Sequence, residues 1–110
     1  MASRKVSDAV RFVYVTNPTK GEARRIANHL MLKKLIGCAV IWPAESIYRW
    51  KSKIADEIEY VLLAKTTERN AVAVRKEVEK IHPYEVPCIV TFSGEANPAY
   101  ARWLTSEVRG

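Results

Sequence analysis

Hydrophobic and polar positions along this chain change period several times, and each change marks an element. Residues 10–16 (VRFVYVT) are rich in β-branched and aromatic side chains and predict a strand. Asn17-Pro18 signals a turn. Thr19 with Glu22 three residues later matches a capping box, so a helix is expected to start there. Apolar residues then fall at Ala23, Ile26, Ala27, Leu30 and Met31, a 3.6-residue stripe. Lys33 and Lys34 suit the C-terminal end of that helix, and Gly37 reads as its stop. Residues 38–42 predict a second strand, interrupted at Pro43 and resumed over residues 47–50. Lys51-Ser52-Lys53 reads as a polar turn. Residues 57–66 form the cleanest strand pattern, with Ile58, Tyr60, Leu62 and Ala64 alternating against Glu57, Glu59, Val61 and Leu63. A second helix is expected over residues 70–81, with Ala71, Val74, Val78 and Ile81 on one face, and a fourth strand over residues 88–92. Asn97 as N-cap and Pro98 at the first helical position open a third helix, with Tyr100, Trp103 and Leu104 on its apolar side.

The order is βαββαβ with an added C-terminal helix. It predicts an α+β, ferredoxin-like sandwich, a sheet with helices on one face. One dimension does not suit a monomer. A helix of about 15 residues is about 22 Å long, whereas a strand over residues 54–66 runs about 43 Å. The middle hairpin is expected to project past its helices, carrying Trp42, Tyr48 and Trp50. An overhanging aromatic hairpin with free edges invites aggregation unless another subunit pairs with it, which predicts an oligomer. The alternative is that residues 43–45 form a loop and both strands are short.

The chemistry-bearing residues concentrate in His82-Pro83-Tyr84-Glu85-Val86-Pro87. Each proline fixes its own φ and pushes the residue before it towards extended backbone, so the loop is rigid. At a helix end, His82 as a structural residue meets the last carbonyls, where the dipole favours its charged form. As a metal ligand it must be neutral. Cys88 follows Pro87 directly, and a thiolate beside an imidazole suits Cu(I) or Zn(II). Those are two donors where a closed site takes four, so Glu85 or a neighbouring subunit has to complete it. Cys38 is a third metal candidate, although a buried free cysteine is an ordinary core residue. Tyr48, Trp50, Tyr84 and Glu85 are expected to line a small cleft at a subunit boundary, with Glu85 as an acid or as a hydrogen-bond acceptor for the tyrosine. The bland reading of the same residues is a packed interface network.

Composition narrows the classes. The chain has 110 residues, enough for one domain over residues 1–110, with residues 1–9 reading as a flexible tail. Two cysteines are too few for a disulfide scaffold. No apolar run spans a membrane, and no apolar segment follows the basic N-terminal residues. Those features predict a cytoplasmic protein with reduced thiols. The net charge of +6 is spread over both helices and mixed with Glu22, Glu77 and Glu79, which reads as solvated helix faces. The central strand carries a single aromatic, Tyr60, and no glycine, so no nucleic-acid partner is expected. No Ser-His-Asp order or Gly-rich phosphate loop occurs, and no enzyme is expected.

Three segments together resemble the CutA divalent-cation tolerance proteins: Glu45-Ser46-Ile47-Tyr48-Arg49-Trp50-Lys51-Ser52-Lys53-Ile54, His82-Pro83-Tyr84-Glu85-Val86-Pro87, and Asn97-Pro98-Ala99-Tyr100-Ala101-Arg102-Trp103-Leu104. The resemblance runs from about Phe12 to Val108. It implies a homotrimer whose long hairpins pair between subunits, with Trp42, Tyr48, Trp50, Lys51, Tyr84, Glu85 and Trp103 at the interface or its clefts. It also implies binding of copper and other divalent ions, and a role in metal tolerance. The chain departs from the family pattern at several places. Val15 stands where some members carry cysteine, Ile81 where some carry a second histidine, and Cys88 where an acid is usual. Arg49 replaces a common aromatic, and Ser52 replaces the glycine of a Trp-Lys-Gly-Lys turn. If that turn needs positive φ, serine costs about 1 kcal/mol relative to glycine.

Overall fold

The computed structural model describes residues 9–110. The tail expected over residues 1–9 falls outside the described residues except for Ala9, which already belongs to the first strand. The elements are β1 (Ala9–Asn17), α1 (Lys20–Leu32), β2 (Cys38–Trp50), β3 (Lys53–Thr66), α2 (Ala71–Ile81), β4 (Ile89–Glu95) and α3 (Pro98–Glu107). The four strands make one antiparallel sheet in the order β2-β3-β1-β4. This is the ferredoxin-like arrangement, with a long β2–β3 hairpin and an extra C-terminal helix. Helices α1 and α2 cover one face, where Val13, Val15, Ile26, Leu30, Leu62, Val74 and Val78 form the core. Each such side chain contributes about 1.5–3 kcal/mol on burial. Glu77 ties the two helices together: its carboxylate lies 2.6 Å from His29 Nε2, 2.7 Å from Lys33 Nζ and 3.4 Å from Lys80 Nζ.

Strand β2 is continuous through Pro43, and the ladder runs without a break to Trp50↔Lys53. The alternative with two short strands is therefore not the one adopted. Two facts permit the proline. β2 is an edge strand. Pro43 also sits opposite Tyr60, whose carbonyl is turned the other way, towards Asn17 Nδ2 at 3.0 Å. That pair is of the non-hydrogen-bonded kind, so no ladder bond is lost.

Helix α1 stops earlier than Gly37. Lys34 takes a left-handed φ of 57°. The bonds Lys34 N–H to Met31 O and Leu35 N–H to Leu30 O, both 3.0 Å, close a Schellman motif. Gly37 serves a different purpose: a Cβ there would stand 2.5 Å from Leu104 Cδ1, so its small size lets α3 approach the sheet. The chain beyond α3 is tied back by Arg109 N–H to Lys34 O (2.8 Å) and by Asn70 Nδ2 to Arg109 O (2.8 Å).

Strand β1 pairs with β3 only as far as Asn17↔Tyr60. From Glu59 to Lys53, β3 pairs with β2 alone and forms a two-stranded ribbon beyond the helices, which stretches the molecule to 53 Å along its long axis. Here the expected alternation inverts. Ile58 is 54% exposed while Glu59 is only 5% exposed. The apolar side of the strand is buried only where helices lie over it. Positive φ at Lys51 (51°) and Ser52 (68°) makes the tip a tight turn of the type whose twist suits a hairpin.

Candidate functional site

The proline loop is set by what ends α2. His82 N–H bonds Val78 O at 2.9 Å, and Pro83 then forces His82 into extended backbone (φ −73°, ψ 139°). This turns the imidazole away from the helix carbonyls and towards β1. Its Nε2 lies 2.8 Å from Thr16 O, and its Nδ1 accepts from Tyr84 N–H at 3.1 Å. A carbonyl only accepts and an amide only donates, so these partners select the neutral Nε2–H tautomer. Burial pushes the His82 pKa below its ordinary value, outweighing the pull of the Thr16 carbonyl. Both ring nitrogens are thereby engaged by backbone.

Tyr84 leaves the loop towards the ribbon. Its hydroxyl donates to Glu59 Oε2 at 2.6 Å. Burial, with the Glu59 carboxylate next, pushes the phenol pKa well above its usual value. Glu85, expected as the tyrosine's acceptor, instead points outward, 3.8 Å from Lys51 Nζ, with both side chains about 70% exposed. Such a pair contributes little. A second tyrosine–carboxylate bond lies nearer the tip: Tyr48 OH to Glu57 Oε1 at 2.5 Å, which pushes the Tyr48 pKa up to about 12. Lys51 Nζ sits 5.6 Å from the centre of the Trp50 ring.

Between the ribbon and the proline loop lies a cleft of about 810 Å³. Thr16, Glu59, Tyr14, Trp50, Val86 and Cys88 are among the residues lining it. Of the residues singled out from the sequence, the structure gathers Tyr48, Trp50, Tyr84, Glu85 and Cys88 around this cleft, with His82 fixed behind the loop and Lys51 on the rim. It does not bring Cys38 there. That residue pairs with Lys65 at the start of β2, on the sheet edge opposite β4, three strand spacings (about 14 Å) across the sheet and four residues (about 13 Å) along it from Cys88. Trp42 lies half-exposed on the uncovered sheet face, and Trp103 is on α3, at the end of the sheet away from the hairpin turn. Among the described residues no three His, Cys, Asp or Glu side chains converge as a metal site.

The residue missed by reading the sequence is Glu59. A hint was present: Glu57 and Glu59 share the polar side of a strand with Val61 and Leu63, so acids and apolar groups face the same way. Only the topology shows that the proline loop folds over that side and covers Glu59 rather than Glu57.

The chain matches the family model described as CutA1 divalent ion tolerance protein over residues 11–107. It is 41% identical over 78 residues to the divalent-cation tolerance protein CutA of Archaeoglobus fulgidus, covering 71% of this chain and 76% of that one. It is 38% identical over 94 residues to the protein of the same name from Thermus thermophilus, covering 84% and 91%. Among solved structures, the periplasmic divalent cation tolerance protein CutA from Archaeoglobus fulgidus superposes with a TM-score of 0.87 at 35% identity, over 91% of this chain and 99% of that one. CutA from Synechococcus elongatus does so with 0.88 at 30% identity, over 93% and 92%. The matched region contains the hairpin, the proline loop and all of α3, and the chain belongs to the CutA divalent-cation tolerance family.

Proposed function

We propose that this protein is a cytoplasmic homotrimer that binds divalent metal ions, copper foremost, in metal-ion tolerance, and acts as a binding protein without turnover. The observation that supports assembly is the ribbon. Beyond Tyr60 it has no third strand among the described residues, and Trp50, Ile47, Ile54 and Ile58 are 40–71% exposed on it. A two-stranded hairpin is marginal in water by itself, and pairing with another subunit removes both the free edge and the apolar exposure. Light scattering coupled to gel filtration is expected to give about three times the 12.5 kDa chain mass. A monomer at micromolar concentration would sink the reading.

The metal part rests on the family and on Cys88. A single chain does not offer a closed site, because His82 has both nitrogens engaged and no trio of donors converges among the described residues. Cys88, exposed on the cleft, and Glu85 beside it are the available donors, and a second subunit supplies the others. Titration with Cu(I) and Zn(II) is expected to show stoichiometric binding that weakens in Cys88→Ser. Unchanged stoichiometry and affinity in that variant would remove Cys88 from the site.

A second reading is a regulatory or scaffold trimer that takes a small molecule or a protein partner in its clefts. It is favoured by the cleft volume of about 810 Å³, within the usual range for small-molecule sites. Metal retained through purification favours the first reading. A metal-free protein stabilised by a metabolite favours the second.

A further inference from the structure

We propose that the cleft between the ribbon and the proline loop receives a small organic cation, whose ammonium or guanidinium group hydrogen-bonds Glu59 and lies against the surrounding aromatic rings. This rests on the reading of the cleft as a ligand site and assigns the class of ligand.

Glu59 is the reason. It is 5% exposed, it lines the cleft, and its one hydrogen bond among the described residues is the Tyr84 hydroxyl on Oε2. A carboxylate withdrawn from water calls for charge-assisted partners, and a single phenol is a weak substitute for them. Oε1 is left for a donor from outside. A bare divalent ion is a poor match, since it needs further strong donors and no group of three His, Cys, Asp or Glu side chains includes Glu59 among the described residues. A hydrogen-bonding cation needs only the carboxylate and a face of aromatic carbon, which Tyr14, Tyr48, Trp50 and Tyr84 supply. Phenols are neutral at physiological pH, and the pKa values of Tyr48 and Tyr84 are raised further, so neither ring brings a second negative charge.

The rim already shows the same chemistry within the chain. Lys51 Nζ lies 5.6 Å from the Trp50 ring centre and 3.8 Å from Glu85 Oε1, an ammonium between an aromatic face and an acid. The other nearby cation, Arg49, does not neutralise Glu59. Arg49 stands opposite Ile54 and Glu59 opposite Ala44, five residues apart along the ribbon, about 17 Å.

The test is calorimetric titration of metal-free protein, in chelator, with agmatine and with putrescine. Saturable binding is expected for at least one. Glu59→Gln, which keeps the shape and the Tyr84 bond, is expected to weaken it by about tenfold or more with an unchanged melting curve. Trp50→Leu, at a partly exposed position, is expected to weaken it several-fold. Absence of saturable heat from both probes, or an unchanged affinity in Glu59→Gln, would overturn the proposal. So would binding of succinate in their place, lost in Arg49→Gln, although that result would keep the cleft as a ligand site. A drop in oligomeric mass in Glu59→Gln, without probe binding to the parent, would give Glu59 to a side chain of another copy and equally overturn it.

Discussion

Strands β2 and β3 pass through two environments on one unbroken ladder. At the base, α1 and α2 lie over them and Leu62 and Ala64 are fully buried. In the ribbon the same ladder continues, yet Ile54 and Ile58 are more than half exposed. The β2–β3 ladder is the same in the two halves, but at the base β3 also pairs with β1 and the helices cover its apolar side chains, and in the ribbon it has neither. Hydrogen bonds extend a hairpin, but apolar burial is what stabilises it.

The largest expected contrast is between Leu62→Ala and Ile58→Ala, read by urea denaturation. Leu62→Ala removes a fully buried side chain and is expected to cost about 2–5 kcal/mol at any protein concentration. In an isolated chain Ile58→Ala is expected to cost no more than about 0.5 kcal/mol. In the proposed trimer its cost is expected to rise and to depend on concentration. Equal losses at all concentrations would erase the distinction between base and ribbon.

The two tyrosine–carboxylate bonds sharpen the same comparison, since their lengths are alike and their surroundings differ. Tyr84→Phe strips a donor from buried Glu59 and is expected to cost about 1–3 kcal/mol. In an isolated chain Tyr48→Phe, which strips one from exposed Glu57, is expected to fall within about 0.5 kcal/mol of the parent, and in the proposed trimer its cost is expected to rise. A matching loss at Tyr48 would mean that the ribbon is covered in solution.

At the tip, Ser52 holds a φ of 68°, so Ser52→Gly is expected to stabilise by about 1 kcal/mol, visible as a raised melting temperature. The smallest effect belongs to the helix layer. Lys33, then His29, lower the Glu77 pKa from 4.5 to about 2. A carboxylate depressed in the folded state contributes stability that is complete above the unfolded value and is lost as pH falls from 4.5 towards 2. Glu77→Gln is expected to flatten the melting temperature across that window. A slope unchanged by the substitution would assign acid sensitivity elsewhere.

Most of the fold was legible from period and punctuation. Thr19 does cap α1, its side chain accepting from Glu22 N–H at 3.1 Å, and Pro98 does open α3. Arithmetic on strand length against helix length foresaw the projecting hairpin. What stayed hidden depended on contacts distant in sequence. Gly37 looks like a helix stop until Leu104 is seen against it. Asn70 does stand at the N-cap of α2, yet its side-chain amide bonds Arg109 O and Thr67 Oγ1 instead of capping the helix. His82 looks like a partner of the helix end or of a metal, until Thr16 and Tyr84 occupy its two nitrogens. Glu59 is indistinguishable from Glu57 until the loop chooses between them.

Pro43 carries one more consequence. Its ring nitrogen faces the outer edge of β2, because its partner Tyr60 points its own polar groups towards β1. The outer edge therefore presents a donor row with one fixed gap. A strand adding alongside gains every available bond only if its own carbonyls avoid that gap. The proline thus acts as an alignment mark: it penalises shifted pairings, and it limits which chains can join that edge and in which frame.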